Sequence, residues 1–308
     1  MTQFVARRVF LFLPILLAVS VIVFVLGHAA PGDPIDILLS EETMDEEEIL
    51  KIKADYGLDK PVIVQYGYWI SQALRGNMGV SFFQAGRPVS EMIAEGFPIS
   101  VQLASASIVF ALITGVGLGI ISALMWGTWL DGAALFGTIL GVSLPRYVFA
   151  PVMVLAFSLT LGILPVAGWG AWEHYPLPTV VLGASTAALL ARLTRSALLE
   201  VLDKEYINAA RAKGCTERSI NLRHALKNAL IPVVTIIGTS LGFLLAGNFV
   251  VETIFNIPGL GRMAVMAIFQ RDYPVFQGII MFMVAIFMTV NLIVDISYAF
   301  LDPRIRSE

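Results

Sequence analysis

The chain has 308 residues, of which 57% are hydrophobic and only 14% are charged. Soluble domains carry about 25% charged residues, so this composition excludes an ordinary soluble domain and indicates an integral membrane protein. The net charge of −3 is uninformative by itself, because basic and acidic residues are segregated along the chain. The single cysteine, Cys215, excludes an internal disulfide framework and a paired-cysteine metal or redox site.

Several apolar runs reach the length of about 20 residues that a helix needs to cross the bilayer. We expect helices rather than barrel strands, because lipid offers the backbone no hydrogen-bond partner and no run alternates with the period of a barrel strand. The first run is interpreted as an uncleaved span, since it is longer than the apolar core of a signal peptide. The sequence therefore predicts an all-α membrane protein with six transmembrane helices: 9–27, 99–125, 132–160, 178–198, 230–251 and 275–299.

Basic residues at the two ends of the chain predict its orientation. Short segments rich in Lys and Arg remain on the cytoplasmic side, so Arg7 and Arg8 place the N-terminus there. Six crossings return Arg304 and Arg306 to the same side. The turn at 126–131 should also be cytoplasmic, although it carries no basic residue.

Residues 28–96, between the first two spans, are expected outside and carry twelve acidic and five basic residues. Thr43 with Glu46 fits a capping box, and acids in a first helical turn interact favourably with the helix dipole. The acidic run is therefore explained as a solvated helix start rather than a ligand site. Further helices are expected from about Pro61 to Arg75 and from near Pro88. The predicted organisation is a first span with its cytoplasmic N-terminus (1–27), a small external helical insertion (28–96) and a core (97–308).

Two later segments are also expected outside. Residues 161–177 contain Trp169, Trp172 and Tyr175, which suit an aromatic belt at the membrane interface. Residues 252–274 contain an apolar stretch that is too short to span, so a short interfacial or re-entrant helix is expected there.

The most polar loop, 199–229, is predicted to be cytoplasmic. From Arg192 to Lys227 the chain carries eight basic and four acidic residues. Asp203 is predicted to cap a short helix that ends at Gly214 in a left-handed turn, and Thr216 to cap a second helix. Three alanines, 209, 210 and 212, give the first helix a thin side. The residues leave three interpretations open: a positive-inside anchor, an anionic-lipid patch and a helix that docks in a groove of another protein.

The loop resembles the cytoplasmic EAA loop of ATP-binding-cassette (ABC) importer permeases. Asn208, Ala209, Ala210 and Gly214 fill positions of that pattern, with Asn208 where the general pattern has Glu, and Pro232 follows later than its usual proline. These departures resemble the peptide/nickel branch of the family, and matching segments follow one another along nearly the whole chain. The segments are ARRVF, APGDP, YGLDKPVIVQY, RGNMGVSF, ARLTRSALLEVL, RHALKNALIPVVT, VVETIFNIPGLG, RDYPVFQG and NLIVDISYAFLDPRIR.

The resemblance implies a MetI-like type I importer permease in a prokaryotic inner membrane, for peptides or a related solute such as glutathione or a nickel chelate. It implies three kinds of protein partner besides the lipid bilayer: a second homologous permease, two ATPase subunits and an external substrate-binding protein. No nucleic acid is expected among the partners. ATP and Mg²⁺ are expected on the ATPases, with no cofactor in this chain and no enzymatic activity of its own, in keeping with the absence of a G-x-x-x-x-G-K-[ST] loop. The implied ATPase-coupling residues are Glu205, Tyr206, Asn208, Ala209, Ala210, Arg211, Lys213 and Gly214.

Ionisable residues within apolar segments are candidates for the pore or its gate. Arg146 lies inside the third predicted span, where a charge should face protein or water. Asn291 and Asp295 share one face of the last span, where a structural hydrogen bond between helices is favoured over a transport role. Glu252 is a weaker gate candidate. The alternatives are a secondary transporter or channel that does not use ATP, and a membrane scaffold or sensor without transport.

Overall fold

The computed structural model describes residues 2–29, 60–84, 86–245 and 248–301. Across these ranges the fold is helical, and the extended pairing that they contain is an isolated antiparallel bridge between Val80 and Pro88. The predicted capping box at Thr43 and Glu46 lies outside the described residues.

The helices of the described ranges are named here in chain order. They are α1 Thr2–Ala29, α2 Val62–Leu74, α3 Val89–Leu124, α4 Trp129–Ser143, α5 Arg146–Met153, α6 Pro176–Leu202, α7 Glu205–Ala212, α8 Glu217–Ala229, α9 Ile231–Leu245, α10 Phe249–Ile254, α11 Leu260–Phe269 and α12 Tyr273–Leu301. Wider π-helical turns extend α5 through Val154–Thr160 and occupy Ile220–Ala225 within α8.

Four helical stretches are long and apolar enough to cross a membrane by length and composition: Phe10–Gly27, Val89–Leu124, Trp172–Leu202 and Tyr273–Ser297. Two bent pairs raise the number of candidate spans to six when each pair counts as one span. One pair is α4 with the α5 segment, bent by 112°, and the other is α8 with α9, bent by 46°. The described residues therefore hold four to six candidate spans, in agreement with a multi-pass helical protein.

The prediction of one continuous helix over 132–160 is wrong. Helix α4 ends at Ser143, Leu144 is extended with ψ 113°, and α5 begins at Arg146. The cause is Pro145, because a proline ring clashes with a helical conformation of the residue before it. Pro145 has φ −60°, which suits the residue that precedes a new helix. The apolar run thus forms two helices joined by a sharp bend.

Other predictions of helices are confirmed. The helix expected from about Pro61 to Arg75 is α2, and the short apolar helix expected within 252–274 is α11. A helix does begin next to Pro88, but α3 then continues without interruption to Leu124. The proposed boundary between residues 96 and 97 therefore falls inside a continuous helix.

The chain divides into two compact units, with α3 and α12 contributing residues to both. The first unit comprises residues 1–100 and 258–292. In this unit Asp272 precedes α12, and its carboxylate accepts hydrogen bonds from the Ser81 hydroxyl and from the backbone N–H groups of Phe82 (3.2 Å) and Phe83 (3.3 Å). The N–H of Val275 also bonds to this side chain, so Asp272 caps α12 while it holds the loop before α3.

The second unit comprises residues 101–257 and 293–308, and α6 is packed closely by its neighbours. A Cβ at Gly115 of α3 would lie 2.5 Å from the Ala187 carbonyl oxygen, and a Cβ at Gly119 would lie 2.6 Å from that of Ala191. Small residues let helix backbones approach in this way, which is how many membrane helices associate. The resulting unit fixes the end of α6, from which the polar loop begins.

Candidate coupling site

Helix α7 starts almost immediately after α6, with Asp203 and Lys204 between them. The prediction that Asp203 caps α7 is wrong. Asp203 has φ −87° and ψ −5°, whereas an N-cap residue normally has extended backbone. Lys204, with ψ 146°, takes the capping position without a side-chain bond. Its ammonium instead bonds Glu200 of α6 at 2.9 Å, and this carboxylate raises the pKa of Lys204.

One fully buried side chain, Ile207, anchors α7 to the second unit. It belongs to a buried apolar cluster that brings together the ends of α3, α6, α7 and α8. We call this the loop cluster, and its buried members are Ala123, Leu198, Ile207, Ile220, Ala225 and Ala229. Burying an isoleucine stabilises a fold by about 1.5–3 kcal/mol, so α7 is fixed to the helices around it rather than tethered loosely.

The opposite side of α7 is exposed and thin. Asn208, Ala209 and Ala212 are exposed, whereas Ala210 is half-buried and packs against the loop cluster. Residues three and four apart share a helix face, so Ala209 and Ala212 form the smooth outer side with Asn208 at its edge, and Ala210 sits one turn from Ile207. Two of the three alanines predicted for the thin side therefore face outward.

The turn after α7 follows the prediction. Gly214 has φ +81°, the left-handed conformation that glycine adopts without strain, and its N–H bonds the Arg211 carbonyl at 2.9 Å. The predicted cap of the second helix is also confirmed, because the Thr216 hydroxyl accepts a bond from the N–H of Ser219 at 3.4 Å.

Polar side chains tie α7 to α8 across this turn. Arg211 donates to both carboxylate oxygens of Glu217, at 2.9 and 3.5 Å, and to Asn208 Oδ1 at 3.2 Å. The Glu217 carboxylate raises the pKa of Arg211. Asn228 of α8 donates to the Tyr206 hydroxyl at 2.9 Å. Arg211 and Tyr206 therefore shape the loop, while Lys213 is exposed and has no acidic partner among the described residues.

An ion pair that was not predicted from the sequence joins the buried Asp131 to the half-buried Arg195, close to the loop cluster. Asp131, at the start of α4, accepts bonds from Arg195 Nε and Nη2, both at 2.8 Å, and from the hydroxyl of Ser122. The Gly127 N–H bonds the same carboxylate at 3.1 Å. The turn at 126–131 carries no basic residue of its own, but Arg195 of α6 places a positive charge against it. The sequence did contain a signal for this pair, namely Asp131 itself, because an ionisable residue at the edge of an apolar run is expected to have a partner.

The four pore candidates occupy different places. Arg146 is the first residue of α5 and is half-buried; no hydrogen bond or ion pair engages its guanidinium within the described ranges. Glu252 of α10 is fully buried, and α10 packs against α5 in the same unit. Asn291 and Asp295 are half-buried on α12. The structure places the helices of Arg146 and Glu252 side by side.

Sequence comparisons identify the chain. Residues 115–307 match the family described as binding-protein-dependent transport system inner membrane component, and residues 1–104 match the N-terminal region described for such components. The chain belongs to this family. The permease is 40% identical over 306 residues, 99% of both chains, to the glutathione transport system permease protein GsiC of Escherichia coli K12. It has the same identity and coverage with the GsiC proteins of Shigella dysenteriae serotype 1 and Salmonella typhi.

A solved structure is similar in fold to this permease. The inward-facing MetNI methionine ABC transporter includes a chain with TM-score 0.56 and 19% identity, over 69% of the permease and 97% of that chain. The permease is thus an integral membrane subunit of an ABC importer with a MetI-like helical fold, and ATP hydrolysis belongs to a partner ATPase rather than to this chain. Among its described residues, no group of three or more His, Cys, Asp or Glu side chains could hold a metal ion.

Proposed function

We propose that this permease forms half of the translocation pore of an ATP-driven importer for peptides or small peptide-like solutes such as glutathione, with α7 as the helix that couples the pore to its ATPase. The observation that carries the coupling role is the orientation of α7. Its exposed side is thin at Ala209 and Ala212, while Ile207 fixes its other side in the loop cluster.

A helix with these two sides is suited to docking. A thin outer surface can enter a groove on another protein, and an anchored inner surface passes a displacement of that groove to the spans. In this proposal Glu205, Asn208, Ala209 and Lys213 contact the ATPase. The other four residues are proposed to give the loop its shape. Tyr206 and Arg211 bond side chains of α8, Ala210 packs against the loop cluster, and Gly214 forms the left-handed turn.

The complete transporter in this proposal has a second homologous permease, two ATPase subunits that bind ATP and Mg²⁺, and an external substrate-binding protein. Both termini and residues 199–229 lie in the cytoplasm, in keeping with their basic residues. Residues 28–96 form an external insertion beneath the binding protein. The substrate class follows from the 40% identity to glutathione permeases over nearly the full length.

Arg146 is the candidate pore residue with the clearest physical argument. Arg146 begins α5 at the bend of an apolar segment. An unpaired charge inside a membrane is costly, about 2.5–3.5 kcal/mol at the centre of a span on insertion scales, so it should face water or an anion. The proposed role is attraction of a substrate carboxylate, which both peptides and glutathione carry. Asn291 and Asp295 are proposed to bond a neighbouring helix, and Glu252 to act at the external gate.

Arg146→Met tests this role by measuring initial uptake of a labelled tripeptide against the concentration of substrate-loaded binding protein. The proposal expects slower uptake with unchanged subunit assembly. The matched control is Arg192→Met, because Arg192 is exposed on α6 and its guanidinium forms no hydrogen bond or ion pair within the described residues. Uptake equal in wild type and Arg146→Met would remove Arg146 from the pore.

The proposed function itself is tested in proteoliposomes that contain the permease pair, with binding protein and labelled glutathione or peptide outside and ATP inside. Uptake should require the ATPase subunits and ATP. Uptake that persists without the ATPases would instead establish a secondary transporter or channel. ATPase binding without flux of any tested solute would favour a scaffold or sensor.

A further inference from the structure

Two contacts of different chemistry hold the C-terminal end of α6, which leads into α7, against other helices of the second unit. The first is the loop cluster, which contains Leu198 of α6 and Ala123 of α3 together with Ile207. The second is the ion pair of Arg195 on α6 with Asp131 on α4. Arg195 lies one helical turn before Leu198, so both contacts hold the same end of α6.

The ion pair has a geometry that fixes one helix relative to another. Arg195 and Asp131 form two parallel bonds of 2.8 Å, and their side chains are only 20% and 7% exposed. A guanidinium and a carboxylate joined in this way are restrained in both distance and orientation, unlike two groups that share one bond. The other contacts of Asp131, to Ser122 and Gly127, extend the restraint to the end of α3 and the turn before α4.

Helix α4 continues the connection away from the loop. Farther along it, a Cβ at Gly141 would lie 3.1 Å from Ala188 Cβ of α6, so α4 follows α6 closely to the bend at Pro145. Arg146 begins the helix beyond that bend. A displacement of α7 that moves the end of α6 can therefore reach the bent α4–α5 segment through Asp131.

We propose that Asp131 and Arg195 are positioning residues for transport coupling: they hold α4 on α6 so that movement of α7 is passed to the bent α4–α5 segment. This inference rests on the proposed function. A pair that only stabilised the fold would affect the amount of assembled transporter. A coupling pair also sets how much substrate moves for each ATP hydrolysed.

The experiment uses the complete transporter in proteoliposomes and measures uptake and ATP hydrolysis together. The main variant is the double change Asp131→Asn with Arg195→Gln, which leaves no unpaired buried charge and keeps similar volumes. It should assemble and hydrolyse ATP, while uptake per ATP falls by at least about fivefold, the lower end of typical coupling between sites. Arg195→Lys keeps the positive charge but loses the two parallel bonds to Asp131, and should give an uptake per ATP between those of the wild type and the double variant. Arg192→Gln, an exposed arginine on the same helix, is the matched control and should leave the ratio unchanged.

A charge exchange, Asp131→Arg with Arg195→Asp, should restore part of the ratio. An unchanged ratio in the double variant overturns the inference, and so does failure of the double variant to assemble, since that result makes the pair structural. Wild-type liposomes that show no ATP-dependent uptake overturn the proposed function itself and this inference with it. If the wild type shows ATP-dependent uptake and the double variant has the same uptake per ATP, the inference about the ion pair is overturned while the proposed function stands.

Discussion

Ile207 of α7 and Leu198 of α6 lie in one buried cluster, although Asp203 and Lys204 separate their helices along the chain. This contact turns a short polar helix into a fixed part of the second unit. It also explains why the outer side of α7 can consist of alanines, because the stability of the helix comes from its inner side.

Ile207→Ala should weaken the attachment of α7. Truncating a buried isoleucine costs about 2–5 kcal/mol, because apolar contacts are lost and a cavity remains. We expect a lower apparent melting temperature in detergent and reduced retention of the ATPase during purification. The matched control is Leu222→Ala on α8, where the side chain is 55% exposed. Equal losses in both variants would show that Ile207 has no special anchoring role.

Gly214→Val should destabilise the turn between α7 and α8. A Cβ at Gly214 meets no atom within 4 Å, so the penalty comes from the backbone at φ +81° alone. A left-handed conformation costs an ordinary residue about 1–2 kcal/mol, whereas asparagine tolerates it better. Thermal unfolding of the purified permease should therefore rank the wild type above Gly214→Asn, and Gly214→Asn above Gly214→Val. Identical melting of the two variants would contradict the strained turn.

Gly115→Ala and Gly117→Ala form a matched pair on α3. The added methyl group at Gly115 would lie 2.5 Å from the Ala187 carbonyl oxygen, whereas at Gly117 it meets nothing within 4 Å. Overpacking costs about 1–3 kcal/mol, so Gly115→Ala should lower the melting temperature and the amount of folded protein in membranes. Gly117→Ala should be neutral or slightly stabilising, since alanine favours a helix over glycine by about 1 kcal/mol. The reverse ranking would contradict the close approach of α3 and α6.

Asp272 should make the stability of the first unit depend on pH. Burial raises the pKa of Asp272 above its ordinary value of 3.8, because desolvation outweighs the bonds from Ser81, Phe82, Phe83 and Val275. Because the pKa is raised in the folded state, the contribution of protonated Asp272 to the free energy of unfolding is complete below pH 3.8. That contribution is lost as the pH rises through the pKa of the folded state. Relative to Asp272→Asn, the wild type should therefore lose melting temperature between acidic and neutral pH. A difference that stays constant or grows in favour of the wild type would contradict this assignment.

Local chemistry allowed the turn between α7 and α8 to be predicted. Gly214 needs a left-handed backbone and Thr216 caps the next helix through its own hydroxyl, so each signal is complete within a few residues. Asp203 failed as a cap because the C-terminal turn of α6 holds its backbone in a helical conformation. Which neighbouring residue caps a helix depends on where the preceding helix ends, and packing decides that.

The features that sequence did not predict depend on distant contacts. Asp131 and Arg195 are 64 residues apart, and neither position alone identifies the other. Ala210 looks equivalent to Ala209 in sequence, and only the loop cluster turns it inward. The bend at Leu144 had a local signal in Pro145, but the continuous apolar run outweighed it in the prediction of a span.

The exposed side of α7 gives the most direct test of the coupling role. Ala209→Glu adds a charged, longer side chain where the proposed ATPase groove would contact the helix, and Ala209 faces away from the loop cluster. Leu222→Glu places the same charge at an exposed position on α8 and serves as the control.

The measurement is co-purification of the ATPase subunits with each membrane-inserted variant, together with ATP hydrolysis stimulated by substrate-loaded binding protein. We expect Ala209→Glu to lose the ATPase or its stimulated hydrolysis, while wild type and Leu222→Glu retain both. Full retention of association and stimulation in Ala209→Glu would contradict the coupling role of α7 and leave the loop as a topological anchor.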